Sequence, residues 1–368
     1  MKKLRIGIIG CGGIANGKHM PSLKANSDLC EMVWFCDIVP ERAQKAAKEF
    51  GAEGAKWCED YRELLNDPDV DVVHVLTPNV AHAPIAVDAF AAGKNVMCEK
   101  PMAATTADAE AMVAAWKKSG KKFTIGYQNR FRPEVQSLHK SCESGELGEI
   151  YFAKAHAIRR RAVPTWGVFP NKALQGGGPL IDIGTHALDM TLWMMNNYEP
   201  ESVTGSVFYK LGHLPQAVEG NVFGPWDPET YEVEDSAFGL IKMKNGATIY
   251  LESSWAINLM ESREASTTLC GTKAGAEIRS GISFPQDELY YNRGHNGLLT
   301  DECAIKVGGV AFFGGASQEP GTLEARQWLE CVLNPEKEPL VKPDQALTVT
   351  KILDAIYQSA KSGDMVKF

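Results

Sequence analysis

The sequence predicts an α/β protein with a doubly wound parallel sheet at the N-terminus and, after it, an α+β domain with a large, mainly antiparallel sheet. Three observations carry this prediction. Short apolar strands alternate with helical stretches over the first 126 residues, a glycine-rich turn follows the first strand, and later strand-like segments are joined by hairpin signals. We therefore predict one domain over residues 1–126 and a second over residues 127–368.

In the first domain, apolar runs predict five buried strands, and the segments between them have helical patterns. The predicted strands are Leu4–Ile9, Cys30–Cys36, Val70–Leu76, Asn95–Cys98 and Phe123–Gly126. The predicted helices are Glu41–Phe50, Ala83–Ala92 and Thr106–Ser119. This alternation is typical of parallel strands linked by crossover helices.

In the second domain, Lys244-Asn245-Gly246 is a hairpin turn signal between two strand patterns. The predicted strands are Ile150–Ile158, Ser202–Leu211, Ser236–Met243, Ala247–Ser254 and Ser266–Cys270. Helices are predicted over 134–144, over 179–195 and, at the C-terminus, over about 343–361. The segments 212–230 and 281–320, rich in Gly, Pro and Asn, receive no assignment.

Composition and charge exclude several classes of protein. The net charge is −8, and the short basic run Arg159-Arg160-Arg161 does not make a nucleic-acid surface. The nine cysteines are scattered without a C-x-x-C pair, which favours reduced thiols. With no secretory signal and no apolar run of about 18 residues, we expect a cytoplasmic protein that binds neither membrane nor nucleic acid.

A dinucleotide-binding motif follows the first strand. Gly10-Cys11-Gly12-Gly13-Ile14-Ala15 has the form G-x-G-x-x-A, in which the glycines make a tight turn and let backbone approach a pyrophosphate at a helix N-terminus. Asp37 ends the second strand about 20 residues later, where an acid accepts hydrogen bonds from ribose hydroxyls and repels a 2′-phosphate. The motif predicts a Rossmann-type site for NAD in preference to NADP.

A second motif is Gly176-Gly177-Gly178-Pro179, which opens the helix carrying Asp182 and His186. Residues four apart share a helix face, and a carboxylate beside an imidazole can make the histidine a proton acceptor or donor. A buried structural Asp–His pair would have the same spacing, so the pattern alone leaves both interpretations open. Because no third ligand is evident, we expect no metal at this pair.

Two further segments complete a recognisable series: Thr77-Pro78-Asn79 with His82, and Cys98-Glu99-Lys100-Pro101. Together with the glycine motif and the Asp182/His186 helix, they resemble the Gfo/Idh/MocA oxidoreductases, over most of the chain and in the same order. The resemblance implies a homo-oligomer that assembles through the open face of the C-terminal sheet. It also implies a nicotinamide cofactor, which in some members stays bound and is recycled by a second sugar.

The resemblance also implies roles for individual residues. The implied catalytic residues are Lys100, Asp182 and His186. The expected cofactor-binding residues are Gly10, Gly12, Gly13, Ile14, Asp37, Thr77, Asn79, His82, Glu99, Lys100 and Gln128. The expected substrate-binding residues are Lys100, Asn129, His156, Arg161, Trp166, Asp182 and His186. For the four of these that are not catalytic residues, an ordinary structural role is the alternative.

The expected reaction is NAD-dependent oxidation of a secondary hydroxyl of a sugar, glycoside or polyol. The segment 159–178 is similar to that of family members that oxidise the C3 hydroxyl of a glucose unit to a 3-oxo sugar. His186, oriented by Asp182, would accept the hydroxyl proton, and Lys100 would stabilise the developing alkoxide. The exchange of these two roles stays open. Two alternatives remain at this point: a glycoside hydrolase or lyase that uses a transient oxidation, and a non-catalytic sensor of sugar and dinucleotide.

Overall fold

The computed structural model describes residues 3–308 and 319–368. Contacts within the chain group these residues into two units, which are described separately below. Unit 1 contains the residues up to Phe131 together with those from 319 to Leu347. Unit 2 contains the residues from Arg132 to 308 together with Thr348–Phe368.

Among the described residues of unit 1, six strands form a parallel sheet of order β3-β2-β1-β4-β5-β6. The strands are β1 (Leu4–Ile9), β2 (Cys30–Cys36), β3 (Lys56–Cys58), β4 (Val72–Val75), β5 (Asn95–Glu99) and β6 (Phe123–Gly126). The strand order reverses between β1 and β4, and ligands of such sheets bind at the carboxyl ends of the strands at this point. The predicted doubly wound sheet is confirmed.

Helices connect these strands: a π-helical turn (Ala15–His19) that continues into α1 (Met20–Ala25), α2 (Pro40–Phe50), α3 (Tyr61–Asn66), α4 (His82–Ala91) and α5 (Thr106–Ser119). Local sequence explains their ends. Thr105 caps α5, because its hydroxyl accepts the Asp108 backbone N–H at 3.2 Å, and Gly120 ends the helix with a φ of +66°. The predicted helix Thr106–Ser119 is confirmed to the residue.

Nine strands of the described residues form the sheet of unit 2, in the order β14-β13-β12-β11-β7-β10-β9-β8-β15. They are β7 (Ile150–Ile158), β8 (Pro200–Phe208), β9 (Ser236–Met243), β10 (Thr248–Ser254), β11 (Arg263–Gly271), β12 (Gly275–Arg279), β13 (Gln286–His295), β14 (Leu298–Gly308) and β15 (Val366–Lys367). All neighbours pair antiparallel except β7 and β10. The mainly antiparallel sheet is confirmed, as is the hairpin at Gly246, whose φ is +90°.

Unit 2 also contains α6 (Pro133–Glu143), α7 (Lys172–Gln175) and the helix that carries the Asp–His pair. The predicted single helix over 179–195 is a π-helical turn (Leu180–Gly184) that continues into α8 (Thr185–Met195). This helix lies on the sheet face that presents Ala155 and Thr267, since the Thr191 and Thr267 hydroxyls are 2.9 Å apart. The opposite face of the sheet carries Phe238 and Leu240.

Helices α9 (Pro320–Leu333) and α10 (Pro343–Ser362) complete the fold. Trp328 and Leu329 of α9 are buried in the core of unit 1 with Ile6 and Ile8 of β1. The structure therefore groups α9 with the dinucleotide-type sheet, whereas the sequence division placed all of 127–368 in the second domain. The reason is that this stretch buries its apolar face against a sheet formed much earlier in the chain.

Within residues 3–308 and 319–368, no helix combines the length and the apolar character that a membrane span requires. Part of the unassigned segment 281–320 forms strands β13 and β14, and its residues 309–318 lie outside the described part of the chain.

Candidate active site

The glycine-rich loop of unit 1 leaves open space in front of a helix N-terminus. Gly10 has a φ of +94°, and a Cβ there would lie 2.6 Å from the Leu76 carbonyl oxygen, so the turn requires glycine. At Gly12 and Gly13 a Cβ would meet no described atom within 4 Å. The loop is thus a backbone cradle of the kind that accepts a pyrophosphate.

Asp37 accepts a backbone hydrogen bond at each of its carboxylate oxygens, one of them from this loop. Oδ2 accepts the Cys11 backbone N–H at 2.8 Å, and Oδ1 accepts the Val39 backbone N–H at 2.9 Å. The carboxylate is therefore held at the carboxyl end of β2, beside the glycine cradle. The side chain of Ile38 beside it is 87 % exposed and offers no positive charge.

His82, an expected cofactor residue, connects two loops of unit 1. Its ring is fully buried, with Nδ1 2.9 Å from the Pro101 carbonyl oxygen and Nε2 2.9 Å from the Thr77 carbonyl oxygen. Burial lowers the pKa of His82. Both nitrogens face backbone, so the side chain links the turn after β4 to the turn after β5. In the turn after β4, the buried Thr77 Oγ1 has no hydrogen-bond partner among the described residues.

Glu99, at the end of β5, is the centre of a buried charged network. Its Oε1 lies 2.5 Å from Lys18 Nζ and accepts the His19 Nε2–H at 2.6 Å, while its Oε2 accepts the Lys100 backbone N–H at 3.0 Å. Lys18 Nζ also donates to Glu324 Oε2 at 3.1 Å and to Gln128 Oε1 at 3.3 Å. The expected site residues Glu99 and Gln128 thus belong to one network.

The charges of this network set its protonation. Burial alone would raise the pKa of Glu99, but Lys18 and His19 hold it well below its usual range. Burial and then the Lys18 charge lower the pKa of His19 to about 4, so its ring is neutral near pH 7. With Nε2–H donated to Glu99, the His19 Nδ1 accepts from the His74 Nδ1–H, 3.1 Å away.

Lys100 and Asn129 are the other expected site residues of this unit. Lys100 is half-buried and precedes a cis bond to Pro101, and its backbone is fixed by Glu99 as described above. Asn129, in the 3₁₀ turn Gln128–Phe131, is 3 % exposed, and its Nδ2 has no hydrogen-bond partner among the described residues. Because buried amide N–H groups are nearly always paired, Asn129 is a candidate ligand donor.

In unit 2, Asp182 lies in the π-helical turn and His186 in the first turn of α8. Asp182 Oδ2 accepts the Trp255 indole N–H at 3.1 Å. His186 is 4 % exposed. Asp182 is also an electrostatic neighbour of Arg159: burial alone would lower the pKa of Arg159, but the Glu264 and Asp182 charges raise it.

Glu234 fixes the start of the helix that carries this pair. Its carboxylate accepts the backbone N–H groups of Gly178 at 2.9 Å and Leu180 at 3.2 Å, and the Tyr357 hydroxyl at 2.7 Å. An acid at this position satisfies N–H groups that lack an intrahelical partner and complements the helix dipole. Burial raises the pKa of Glu234.

The Arg161 side chain is held by hydrogen bonds within unit 2. Its guanidinium donates to the carbonyl oxygens of Arg160 at 2.6 Å, Ala217 at 3.1 Å and Ile257 at 3.1 Å, and to Asn258 Oδ1 at 2.6 Å. These bonds connect the segment after β7 to two loops of unit 2. With its donors engaged in this way, Arg161 serves the loops, in contrast to the substrate contact expected from the sequence.

His156 lies on the sheet face opposite α8. Its Nδ1 is 2.6 Å from Glu252 Oε1 and its Nε2 is 3.0 Å from Thr268 Oγ1, both on neighbouring strands. The strand alternation places the adjacent residues Ala155 and Ala157 on the α8 face and His156 on the other. The structure therefore does not bring His156 to Asp182 and His186, as the substrate prediction requires.

Trp166 belongs to an aromatic cluster that extends to Asp182. Its ring, 46 % exposed, packs edge-on against Phe223 and Phe169, with centroid distances of 4.8 Å and 5.9 Å. Phe169 in turn packs edge-on against Trp255, 6.1 Å away, whose indole binds Asp182. The cluster offers apolar aromatic surface of the kind that packs against sugar rings.

Sequence reasoning missed Lys18, His19, Glu234, Trp255 and Glu324. Lys18 and His19 carried a signal, since a lysine and a histidine follow the glycine motif within one helical turn. The other three are far in sequence from their partners. Among the described residues, no three His, Cys, Asp or Glu side chains form a group that could hold a metal ion, and the expectation of a metal-free site stays a prediction.

Comparison with known proteins identifies the family. Residues 4–127 match the family model described as oxidoreductase family, NAD-binding Rossmann fold, and residues 140–368 match the model for its C-terminal alpha/beta domain. The chain belongs to the Gfo/Idh/MocA oxidoreductase family. Unit 1 therefore contains the family's nicotinamide dinucleotide domain, and the protein is an oxidoreductase.

Relatives within the Gfo/Idh/MocA family include sugar dehydrogenases. D-glucoside 3-dehydrogenase of Escherichia coli (strain K12) is 36% identical over 367 residues, which is 99% of this chain and 97% of that protein. Levoglucosan dehydrogenase of Pseudarthrobacter phenanthrenivorans is 29% identical over 69% of this chain and 68% of that protein.

Solved structures share the whole fold. Aldose-aldose oxidoreductase from Caulobacter crescentus complexed with glycerol has a TM-score of 0.78 at 28% identity, with both chains fully covered. A levoglucosan dehydrogenase complex with NADH and levoglucosan has a TM-score of 0.81 at 23% identity, covering 100% of this chain and 99% of that one, and shows likeness of fold.

Proposed function

We propose that this Gfo/Idh/MocA protein is an NAD-dependent dehydrogenase that oxidises a secondary hydroxyl of a sugar, glycoside or polyol, with the C3 hydroxyl of a glucoside as the specific target. The observation that carries the proposal is its 36% identity over nearly the whole chain to a D-glucoside 3-dehydrogenase. Lys100, Asp182 and His186, the three residues that the family resemblance assigns to catalysis, are all present.

The open cradle at Gly12 and Gly13 fits a dinucleotide. The residues that would hold it are Gly10, Gly12, Gly13, Ile14, Asp37, Thr77, Asn79 and Gln128. The chemistry that NAD supplies when bound is hydride acceptance. Asp37 supports NAD over NADP, because a carboxylate at the end of β2 repels a 2′-phosphate and its neighbour Ile38 has no charge to bind one.

The residues of the chain handle the proton. Oxidation of an alcohol requires a base for the hydroxyl proton, and His186, with Asp182 four residues before it, supplies an imidazole for that purpose. The Lys100 ammonium stabilises the negative charge that develops on the same oxygen. The alternative is that the two roles are exchanged, with Lys100 as the base. Variants of Lys100 and His186 distinguish the two assignments.

Substrate contacts fall to a smaller set than the sequence suggested. The buried Nδ2 of Asn129 supports a role as a hydroxyl ligand, and the exposed ring of Trp166 supports a role as a platform for the apolar face of a sugar. Arg161 and His156 are left out of this proposal for the structural reasons given above.

We also propose a homo-oligomer that forms through the sheet face opposite α8. That face exposes apolar side chains, among them Leu240, which is 51 % exposed, and Phe208, which is 39 % exposed. A cytoplasmic location is proposed as well, because all nine cysteines are free thiols.

The experiment is a panel of free sugars, glucosides and polyols incubated with NAD, followed by NADH absorbance and product mass spectrometry. The expected result is a product two mass units lighter than a glucoside, formed with NADH. A ketose is added in parallel reactions to reveal a cofactor that remains bound and is recycled. Release of free aglycone would instead indicate a hydrolase or lyase, and binding without any product would indicate a sensor.

A further inference from the structure

Trp255 is joined to the candidate catalytic acid by a direct hydrogen bond. It follows the last residue of β10, is fully buried, and donates its indole N–H to Asp182 Oδ2 at 3.1 Å. An indole N–H can only donate, so this contact requires an acceptor and favours the ionised carboxylate. None of the roles proposed above uses this residue.

The surroundings of Trp255 hold its indole in one place. Its backbone N–H donates to the Asp235 carbonyl oxygen at 3.1 Å, and its own carbonyl oxygen accepts the Ala162 N–H at 2.9 Å. The edge of Phe169 packs against the ring. With backbone and ring both fixed, the N–H direction is set before any ligand binds, as a preorganised contact requires.

We propose that Trp255 is a positioning residue for the oxidation: it holds the Asp182 carboxylate in its working orientation beside His186. This inference rests on the proposed function, in which Asp182 belongs to the catalytic group. Without the indole donor the carboxylate loses one of its restraints, and the productive arrangement is less populated. Turnover then falls, while sugar binding, which depends on other contacts, changes little.

The test is Trp255→Phe, which keeps an aromatic ring against Phe169 but removes the N–H. We expect kcat to fall about ten- to hundredfold, the range for loss of one hydrogen bond to a charged group, with KM changed by less than about threefold. The matched control is Trp34→Phe. Trp34 lies on β2 of unit 1 and donates its indole N–H to Asp67 Oδ2 at 2.7 Å, so this variant also removes an indole donor from a carboxylate. The control is expected to retain full kcat.

A double-mutant cycle separates positioning from general damage to the fold. If Trp255 acts through Asp182, the variant Trp255→Phe/Asp182→Asn has the same kcat as Asp182→Asn alone, since the second substitution removes nothing further. Additive losses, or full turnover in Trp255→Phe, would overturn the inference. If Trp255→Phe fails to fold, Trp255→Leu, which is apolar and also has no donor, takes its place in the cycle.

The same variants distinguish this inference from the proposed function. Full turnover in Asp182→Asn would contradict the catalytic role of Asp182 and hence the proposed mechanism. An inactive Asp182→Asn together with a fully active Trp255→Phe would contradict only the role of Trp255.

Discussion

Lys18 Nζ lies 2.5 Å from Glu99 Oε1, with both side chains buried, on a helix and a strand of unit 1 that are far apart in sequence. Glu324 of α9 lies against the same ammonium group at 3.1 Å. One cation thus serves two buried carboxylates. Burial alone would lower the pKa of Lys18, but Glu324 and Glu99 raise it, so the lysine stays charged.

Removal of this cation is expected to be costly. Lys18→Met removes the cation that contacts both Glu99 and Glu324 in a buried site, and breaking a buried pair in this way destabilises a protein by about 3–5 kcal/mol. Urea unfolding measures the loss, with the exposed Lys24→Met as the control. Adding Glu324→Gln to Lys18→Met is expected to restore part of the stability. A stability equal to that of Lys24→Met would contradict the assignment.

Acid is expected to destabilise the protein through His19. Its pKa is about 4 in the folded state and 6.5 when unperturbed, so between these values the unfolded chain binds a proton that the folded chain does not. Stability therefore falls as the pH is lowered from 6.5 towards 4. His19→Gln is expected to flatten this dependence, measured as unfolding free energy against pH. His213→Gln, at an exposed histidine, is the control, and an unchanged slope in His19→Gln would refute the prediction.

Asp37 is expected to set the cofactor preference. Asp37→Ser/Ile38→Arg removes the carboxylate and adds a guanidinium for a 2′-phosphate, and we expect the NADP to NAD ratio of kcat/KM to rise roughly hundredfold. Steady-state kinetics with both cofactors provide the measurement. Ile38→Arg alone is the control and retains the repulsion. The double variant also loses the hydrogen bonds that the Cys11 and Val39 N–H groups donate to Asp37, which lowers the free energy of unfolding by about 1–3 kcal/mol. An unchanged ratio would argue against the role of Asp37.

Lys100→Met and His186→Asn are each expected to lower kcat by about a hundred- to ten thousandfold, because each removes a group that handles charge or the proton on the reacting oxygen. NADH binding, followed by its fluorescence, is expected to persist. Lys118→Met, at an exposed lysine of α5, is the control. Near-normal turnover in both variants would defeat the mechanism. The variant whose pH–rate profile loses its acidic limb, the fall in rate at low pH, identifies the proton acceptor.

Arg161 and His156 are expected to separate from the substrate site in kinetics. Arg161→Met removes the bonds to Ala217, Ile257 and Asn258, so Tm falls while the KM for sugar stays within about threefold. His156→Gln is expected to leave kcat and KM unchanged, because its ring lies on the sheet face away from α8. A tenfold higher KM with unchanged Tm in either variant would return that residue to the substrate site.

The parts of the fold that were predicted correctly are those with a strong local signal. Leu4–Ile9 and Cys30–Cys36 are apolar runs next to turn residues, and their bounds match the structure. Strand β3 was missed because it has three residues, two of them exposed, and so lacks an apolar run. Strands β13 and β14 were missed because polar and charged residues interrupt both.

The same distinction applies to the candidate site. The glycine cradle and Asp37 belong to one short motif whose spacing carries the chemistry. The partners of Asp182 and Lys18 have no such motif. Trp255 and Glu324 contact them only because strands and helices from distant parts of the chain fold together, and neither position has a local pattern that distinguishes it from an ordinary buried or surface residue.

Helix α9 has a consequence for how the protein matures. Trp328 and Leu329 fill the core beneath a sheet whose strands all end by Gly126. During synthesis on the ribosome, that sheet emerges long before the helix that covers it. Its apolar surface therefore stays exposed until nearly the whole of the second unit has been made. We expect chaperones to bind the nascent chain over this interval. A chain truncated before Pro320 is expected to aggregate, because this apolar surface is left exposed.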